Sequence, residues 1–268
     1  MLLDVVAAGN VLVLSGAGLS TESGIPDYRG PTGLARRATP MTYQTFTASA
    51  QARRRYWARS HLGWRHIDQA VPNRGHLAVA QLGHRGLLAG IITQNVDGLH
   101  QAAGACEVTE LHGSLHRVVC LSCGQRTART DLHRRLAAAN PGWEARSTAL
   151  INPDGDAVLA DDATESFQVV DCALCDGVLK PDVVFFGENV PRPRVQACYA
   201  MVERASSLVV LGSSLTVMSG FRYVRHAAKV PVPVVIVNQG PTRGDAHAAT
   251  TLDAPLGQVL TALVAALP

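Results

Sequence analysis

Short apolar runs that end in glycine or polar turns, separated by stretches of helical periodicity, organise this chain. The first run, Asn10-Val11-Leu12-Val13-Leu14-Ser15, ends at Gly16-Ala17-Gly18. It predicts a buried parallel strand delivering the chain into a glycine-rich turn. Leu87 to Thr93, Ser207 to Gly212 and Pro233 to Asn238 read as further strands, and His76 to Gly83 and Phe221 to Lys229 as helical segments between them. Strands alternating with helices predict an α/β fold built on a doubly wound parallel sheet. In the last segment, Leu256, Val259, Leu260, Leu263, Val264 and Leu267 share one helical face that is expected to pack back onto the sheet. Ala145 to Ser166, with its Asn-Pro-Asp-Gly and Asp-Asp pieces, predicts a loop or mobile excursion.

Composition narrows the class. A chain of 268 residues with 47% hydrophobic content can bury a substantial core, as one large domain or a large domain carrying a smaller module. The formal charge of +3 is slight and the arginines are scattered, so nucleic acid is not the expected partner. No stretch approaches the roughly 20 apolar residues of a membrane helix. The opening Met1-Leu2-Leu3-Asp4 has neither a basic start nor a long apolar segment, so the expectation is a soluble cytoplasmic protein with no presequence and no membrane partner.

The six cysteines change the picture. Four form two tight pairs, Cys120-x-x-Cys123 and Cys172-x-x-Cys175, a spacing suited to tetrahedral zinc and poorly suited to a bridge within each pair. Four thiolates complete zinc's coordination and leave no position for water, so the metal is expected to be structural. A redox role for either pair is the alternative. The interval between the pairs exceeds the zinc-ribbon spacing of about 15 to 20 residues, which a loop projecting at 145–166 would explain. Cys106 and Cys198 read as small buried or half-buried apolar residues.

Glycines at 16 and 18 let backbone amides approach a pyrophosphate where a strand gives way to a turn. The ordinary dinucleotide fingerprint is incomplete, because the third glycine and the acidic residue about 20 positions on are missing. That disfavours hydride transfer. The turn continues through Ser20-Thr21-Glu22-Ser23-Gly24-Ile25-Pro26-Asp27-Tyr28-Arg29-Gly30, and Thr93-Gln94-Asn95-Val96-Asp97-Gly98-Leu99-His100, Leu111-His112-Gly113, Gly212-Ser213-Ser214 and Val237-Asn238-Gln239-Gly240 follow. Together with the cysteine pairs, this set and order resemble the sirtuin family over residues 16 to about 240. From the residues alone, Asn95 and Asp97 could equally cap a helix beginning near Gly98.

The resemblance implies a Rossmann-like NAD-binding domain at 1–113 and 178–268, an inserted zinc module at 114–177 and a small helical insertion around 31–72. It also implies an NAD-dependent protein lysine deacylase, with NAD as co-substrate and structural zinc on Cys120, Cys123, Cys172 and Cys175. The acyl oxygen of a modified lysine attacks the nicotinamide ribose, nicotinamide leaves, and His112 helps deprotonate a ribose hydroxyl that then attacks the acyl carbon. An imidazole, ordinarily titrating near pH 6.5, suits that task. His112, Asn95 and Asp97 are thereby the catalytic candidates. Gly16, Ala17, Gly18, Ser20, Ser23, Ile25, Pro26, Asp27, Tyr28, Arg29, Gln94, Gly212, Ser213, Ser214, Asn238, Gln239, Gly240 and Leu256 complete the cofactor contacts. Val183 to Glu188 is expected to be strand-like and to receive an acyl-lysine peptide as an added strand. Alternation should send Phe185 and Phe186 to opposite faces.

Arg53-Arg54-Arg55-Tyr56-Trp57-Ala58-Arg59 and Gly63-Trp64 resemble the class II branch, whose members are described as weak deacetylases with longer-acyl or ADP-ribosyl transfer activity. Tyr56 and Arg59 have the spacing of the pair by which the desuccinylating branch holds an acidic acyl chain, but in a different sequence context. A solvated basic helix is the reading carried forward. Other readings remain open: an ADP-ribosyltransferase of the same family, a non-catalytic NAD or ADP-ribose sensor, and a zinc-ribbon nucleic-acid protein. A monomer is the expected state.

Overall fold

The computed structural model describes residues 1–28, 40–143, 151–152 and 154–267, and these divide into two compact units. The first unit comprises 1–34, 71–111 and 190–268. Its sheet contains β1 (Val11–Ser15), β2 (Leu88–Thr93), β3 (Val108–Glu110), β7 (Ser207–Leu211), β8 (Val234–Val237) and β9 (Thr250–Leu252), all parallel, in the order β3-β2-β1-β7-β8-β9. The apolar runs are continuous because both faces are covered. Val11, Val13, Ile91, Val209, Leu211, Val235 and Val237 share one core with the helices α4 (Arg74–His84) and α9 (Leu256–Ala266). The alternate residues Leu12, Leu14, Ile92, Leu208, Val210, Val234 and Ile236 share another with α7 (Arg192–Arg204) and α8 (Met218–Ala227). The doubly wound α/β reading therefore holds, and the terminal helix packs back on the sheet as expected. Chain order runs outward from β1 to β2 and β3 on one side and through β7, β8 and β9 on the other. That places the switch point between β1 and β7, where ligands bind in such sheets.

The second unit comprises 35–70 and 112–189. It holds a three-stranded antiparallel sheet, β5-β4-β6, from β4 (Gly113–Cys120), β5 (Arg126–Ala128) and β6 (Leu179–Val183). Its helices are α2 (Tyr43–Ala48), α3 (Ala50–Asp68) and α6 (Arg129–Ala139). Phe46, Tyr56, Trp57, Val118, Leu132, Leu136, Trp143, Phe167 and Phe185 form its core.

Four expectations are corrected here. The strand near 183–188 ends at Val183, and only Phe186 makes a single bridge, with Thr42; Phe185 is nonetheless buried and Phe186 exposed, as alternation requires. The described part of the 145–166 excursion does not project: Asn152, Asp156, Ala157 and Thr164 are buried, and Ile151 bridges Ala157. Gly155 packs so closely on α3 that a Cβ at Gly63 would come within 1.8 Å of its carbonyl oxygen. Residues 144–150 and Pro153 lie outside the described set. Nor is α3 a solvated basic helix. Arg55 and Arg59 both pair with Asp161, at 2.8 and 2.7 Å, while Arg59 also reaches the Leu159 carbonyl and Arg54 the Glu165 carbonyl. Tyr56 is buried edge-on against Phe46, Trp57 and Phe185, so it forms no acyl-holding pair with Arg59. Cys198 is buried as expected, but Cys106 is exposed.

Candidate active site and metal centre

At the switch point the backbone itself makes the first contacts. Gly16 N donates to Leu211 O and Gly18 N to Gly212 O, both at 2.9 Å. A Cβ on Gly16 would meet the Ser213 Cβ at 2.7 Å, and one on Gly18 the Gly212 carbonyl oxygen at 2.9 Å. Gly212, with φ 61°, occupies the left-handed region that glycine adopts without strain. Two glycine turns from neighbouring strands thus close on one another with no room for side chains. Ala17 begins a short 3-10 turn, after which Ser20 and Ile25 are buried.

Ser20 and the Gln94–Asp97 segment form a buried polar knot. Ser20 Oγ donates to Asp97 Oδ2 at 2.7 Å, and Asn95 Nδ2 donates both to Ser20 Oγ and to Gly16 O at 3.0 Å. Asp97 Oδ1 accepts from Leu99 N at 3.0 Å and so also caps the short helix α5 (Leu99–Ala102). Capping and network formation coexist. Gln94 Nε2 reaches Ser213 Oγ at 2.8 Å. Burial without partners would be costly for every one of these groups, so the network fixes each side chain's orientation.

Ser23 accepts from Asn73 Nδ2 at 3.0 Å, Pro26 is buried, Asp27 is half-buried and Tyr28 is exposed. Arg29 lies outside the described residues. Ser214 accepts from Arg243 N, and Leu256 packs beside Gly212. At the end of β8, Asn238 Nδ2 binds the carbonyls of Gln239 and Gly240, and Gly240 N binds Asp253. His112 begins the second segment of the second unit, half-buried, with its carbonyl accepting from Val184 N at 2.8 Å.

A second buried polar layer, to which the motifs assign no role, joins the knot where Asn95 N donates to Thr93 Oγ1 at 3.1 Å. Ser15 Oγ contacts Thr93 Oγ1 at 2.9 Å and His100 Nε2 at 2.8 Å, and the His100 ring packs on His76. Burial pulls His100 down to about 4 and, together with the neighbouring His100 charge, His76 down to about 3, so both are neutral at pH 7. Asn73 caps α4 and also donates to Leu19 O. The Pro-Asn step before α4 was the one available signal for Asn73. Nothing in spacing distinguishes a histidine that will be buried.

In the second unit the four sulfurs of Cys120, Cys123, Cys172 and Cys175 all lie within 4.8 Å of one another, with Cys120–Cys175 at 3.6 Å and Cys123–Cys172 at 3.9 Å. A tetrahedron with metal–sulfur bonds of about 2.3 Å has edges of about 3.8 Å, so the donor set fits zinc. The two pairs are built alike. Gly124 N returns to Cys120 O and Asp176 N to Cys172 O, and both Gly124 and Asp176 sit at positive φ.

Comparison with known proteins accords with this geometry. The Sir2 family model matches residues 16–219. "NAD-dependent protein deacetylase 1" of Streptomyces coelicolor is 64% identical over 96% of this chain and 86% of its own length. "NAD-dependent protein lipoamidase sirtuin-4, mitochondrial" of Bos taurus is 46% identical over 93% of this chain and 80% of its own. A solved structure described as "Sir2-p53 peptide-NAD+" superposes with a TM-score of 0.79 at 29% identity, covering 98% of this chain and 96% of that one. The glycine turns, the polar knot and the cysteine tetrad are all accounted for together, since the chain belongs to the Sir2 family.

Proposed function

We propose that the protein is an NAD-dependent protein lysine deacylase, releasing nicotinamide and O-acyl-ADP-ribose and carrying a structural zinc. The observation that carries this reading is the buried knot of Ser20, Asn95 and Asp97 at the sheet's switch point. Amide, hydroxyl and carboxylate groups held there suit a nicotinamide and its ribose. NAD supplies the activated ribose carbon. Gly16, Ala17 and Gly18 let the backbone approach the pyrophosphate, and Gln94, Asn95 and Asp97 orient the ribose end. His112 takes the proton from a ribose hydroxyl. The contacts at Ser213, Ser214, Asn238, Gln239, Gly240 and Leu256 hold the rest of the dinucleotide, and the four cysteines hold zinc with no position open for water.

The same reading keeps an NAD-binding domain at 1–113 and 178–268 and a zinc module at 114–177, in a monomeric cytoplasmic enzyme acting on acylated proteins or peptides. Relatives named deacetylase and lipoamidase support a lysine amide as the bond cleaved. Among the described residues, no helix is long and apolar enough to cross a membrane.

Mass spectrometry of NAD incubated with the protein and peptides bearing acetyl, succinyl, fatty acyl or lipoyl groups tests this. Nicotinamide together with a matching acyl-ADP-ribose establishes deacylation and names the acyl class. ADP-ribose transferred to protein, or no NAD loss, moves the answer to a transferase or to a sensor. His112→Ala is expected to abolish turnover while leaving the fold intact, and full turnover in that variant would remove His112 from the mechanism.

A further inference from the structure

Lys180 is one of only two lysines in the chain, and it is buried, at 4% exposure, in the edge strand β6 of the three-stranded sheet. An ammonium in such a place is costly unless several oxygens receive it. Here they do. Nζ donates to Pro181 O at 3.3 Å, to Val183 O, and to Glu188 Oε2 at 3.0 Å, and it lies over the Phe185 ring at 4.7 Å. The same Glu188 oxygen accepts from Phe185 N at 2.9 Å, and Glu188 N returns to Phe185 O at 3.0 Å. One ion pair therefore ties both ends of the 183–188 turn. The intervening amide, Val184 N, donates to the His112 carbonyl at 2.8 Å. A leucine or methionine at 180 would fill the volume without gathering these carbonyls, so packing alone does not explain a charge there.

We infer that Lys180, acting with Glu188, is a positioning residue for the acyl-lysine peptide: it fixes the 183–188 turn, whose Val184 amide holds the backbone of His112. This rests on the deacylase reading. The experiment compares parent, Lys180→Met, Lys180→Arg and Glu188→Gln, measuring kcat and KM for an acyl-peptide and for NAD, together with Tm, zinc content and amide hydrogen exchange over 183–188. Lys180→Met is expected to raise peptide KM about tenfold and to leave NAD KM within about twofold, as loss of a charge-assisted contact would. Exchange at Val184 and Phe185 should accelerate, and Lys180→Arg should recover most of the loss. Peptide KM within about twofold of the parent overturns the inference, as does an equal rise in both KM values accompanied by a fall in Tm. Should Lys180→Met fail to fold, Glu188→Gln decides: a selective rise in peptide KM supports the positioning role and none overturns it. A parent that releases no nicotinamide with any peptide refutes the deacylase reading instead, and the exchange rates then decide alone whether Lys180 holds the turn.

Discussion

The Ser20 hydroxyl and the Asp97 carboxylate, 77 positions apart in sequence, meet at 2.7 Å, and the same hydroxyl accepts from Asn95 at 3.0 Å. Ser20→Ala leaves a buried carboxylate oxygen and a buried amide each short of a partner, which costs about 1 to 3 kcal/mol. We expect a lower Tm with the fold retained, and nicotinamide release reduced at least tenfold, because both partners lose their fixed orientation. Near-parental release from a folded Ser20→Ala protein would show that the knot serves stability alone.

The cysteine tetrad predicts a linkage between metal and fold. Cys120→Ser or exhaustive chelation should remove zinc and lower Tm, because the donors lie on separate stretches of chain and metal binding contributes to folding free energy. Metal analysis and thermal melts read this directly, and unchanged metal content in Cys120→Ser would exclude that sulfur as a ligand. Asp176 occupies the left-handed position that Gly124 fills in the first pair. Asp176→Gly should therefore retain zinc and gain up to about 1 kcal/mol from relieved backbone strain.

Acid should destabilise the protein through its buried histidines. His100 and His76 titrate near 4 and 3 in the folded chain, against about 6.5 when unfolded. The unfolded state therefore binds more protons, and stability present above pH 6.5 is lost as pH falls toward those folded values. Asp154 and Asp156, raised by burial, act in the opposite sense and offset part of the loss. Both His76 ring nitrogens lack a hydrogen-bond partner among the described residues. His76→Leu should accordingly match or exceed the parent's Tm at pH 7 and gain on it further at pH 5. A Tm difference independent of pH would contradict the assignment.

Local pattern carried much of this structure and missed the rest for identifiable reasons. β1, β2, β7 and β8 were legible because strands covered on both faces leave unbroken apolar runs. β9 is three residues, Thr250 half-buried and Thr251 and Leu252 exposed, and leaves no such run. The core of the second unit was hidden because Tyr56 and Trp57 lie inside an arginine-rich stretch, and the acceptors of those arginines, at 159–165, are about a hundred residues away. β6 was placed too late because its Lys180-Pro181-Asp182 centre lacks apolar character; the ion pair that makes a buried lysine tolerable is a tertiary contact. Ser20, Asn95 and Asp97 were identified by motif, whereas His100, though it ends the Thr93–His100 motif, and His76 carry no local sign that tertiary packing buries them.

The two lysines should differ sharply in chemical reactivity, which matters for an enzyme proposed to act on acyl-lysine. Lys229 is exposed beyond the end of α8, whereas Lys180 is buried with its ammonium held by three oxygens. Acylation requires a free, accessible amine, so Lys180 can react only when the 183–188 turn opens. Brief treatment of the folded protein with an acetylating reagent should label Lys229 and the N-terminal amine and spare Lys180, with labelling of Lys180 appearing on denaturation. Peptide-level mass spectrometry distinguishes the sites. Rapid labelling of Lys180 in the native protein would mean that the turn opens readily, and it would weaken the case for Lys180 as a positioning residue at the same stroke.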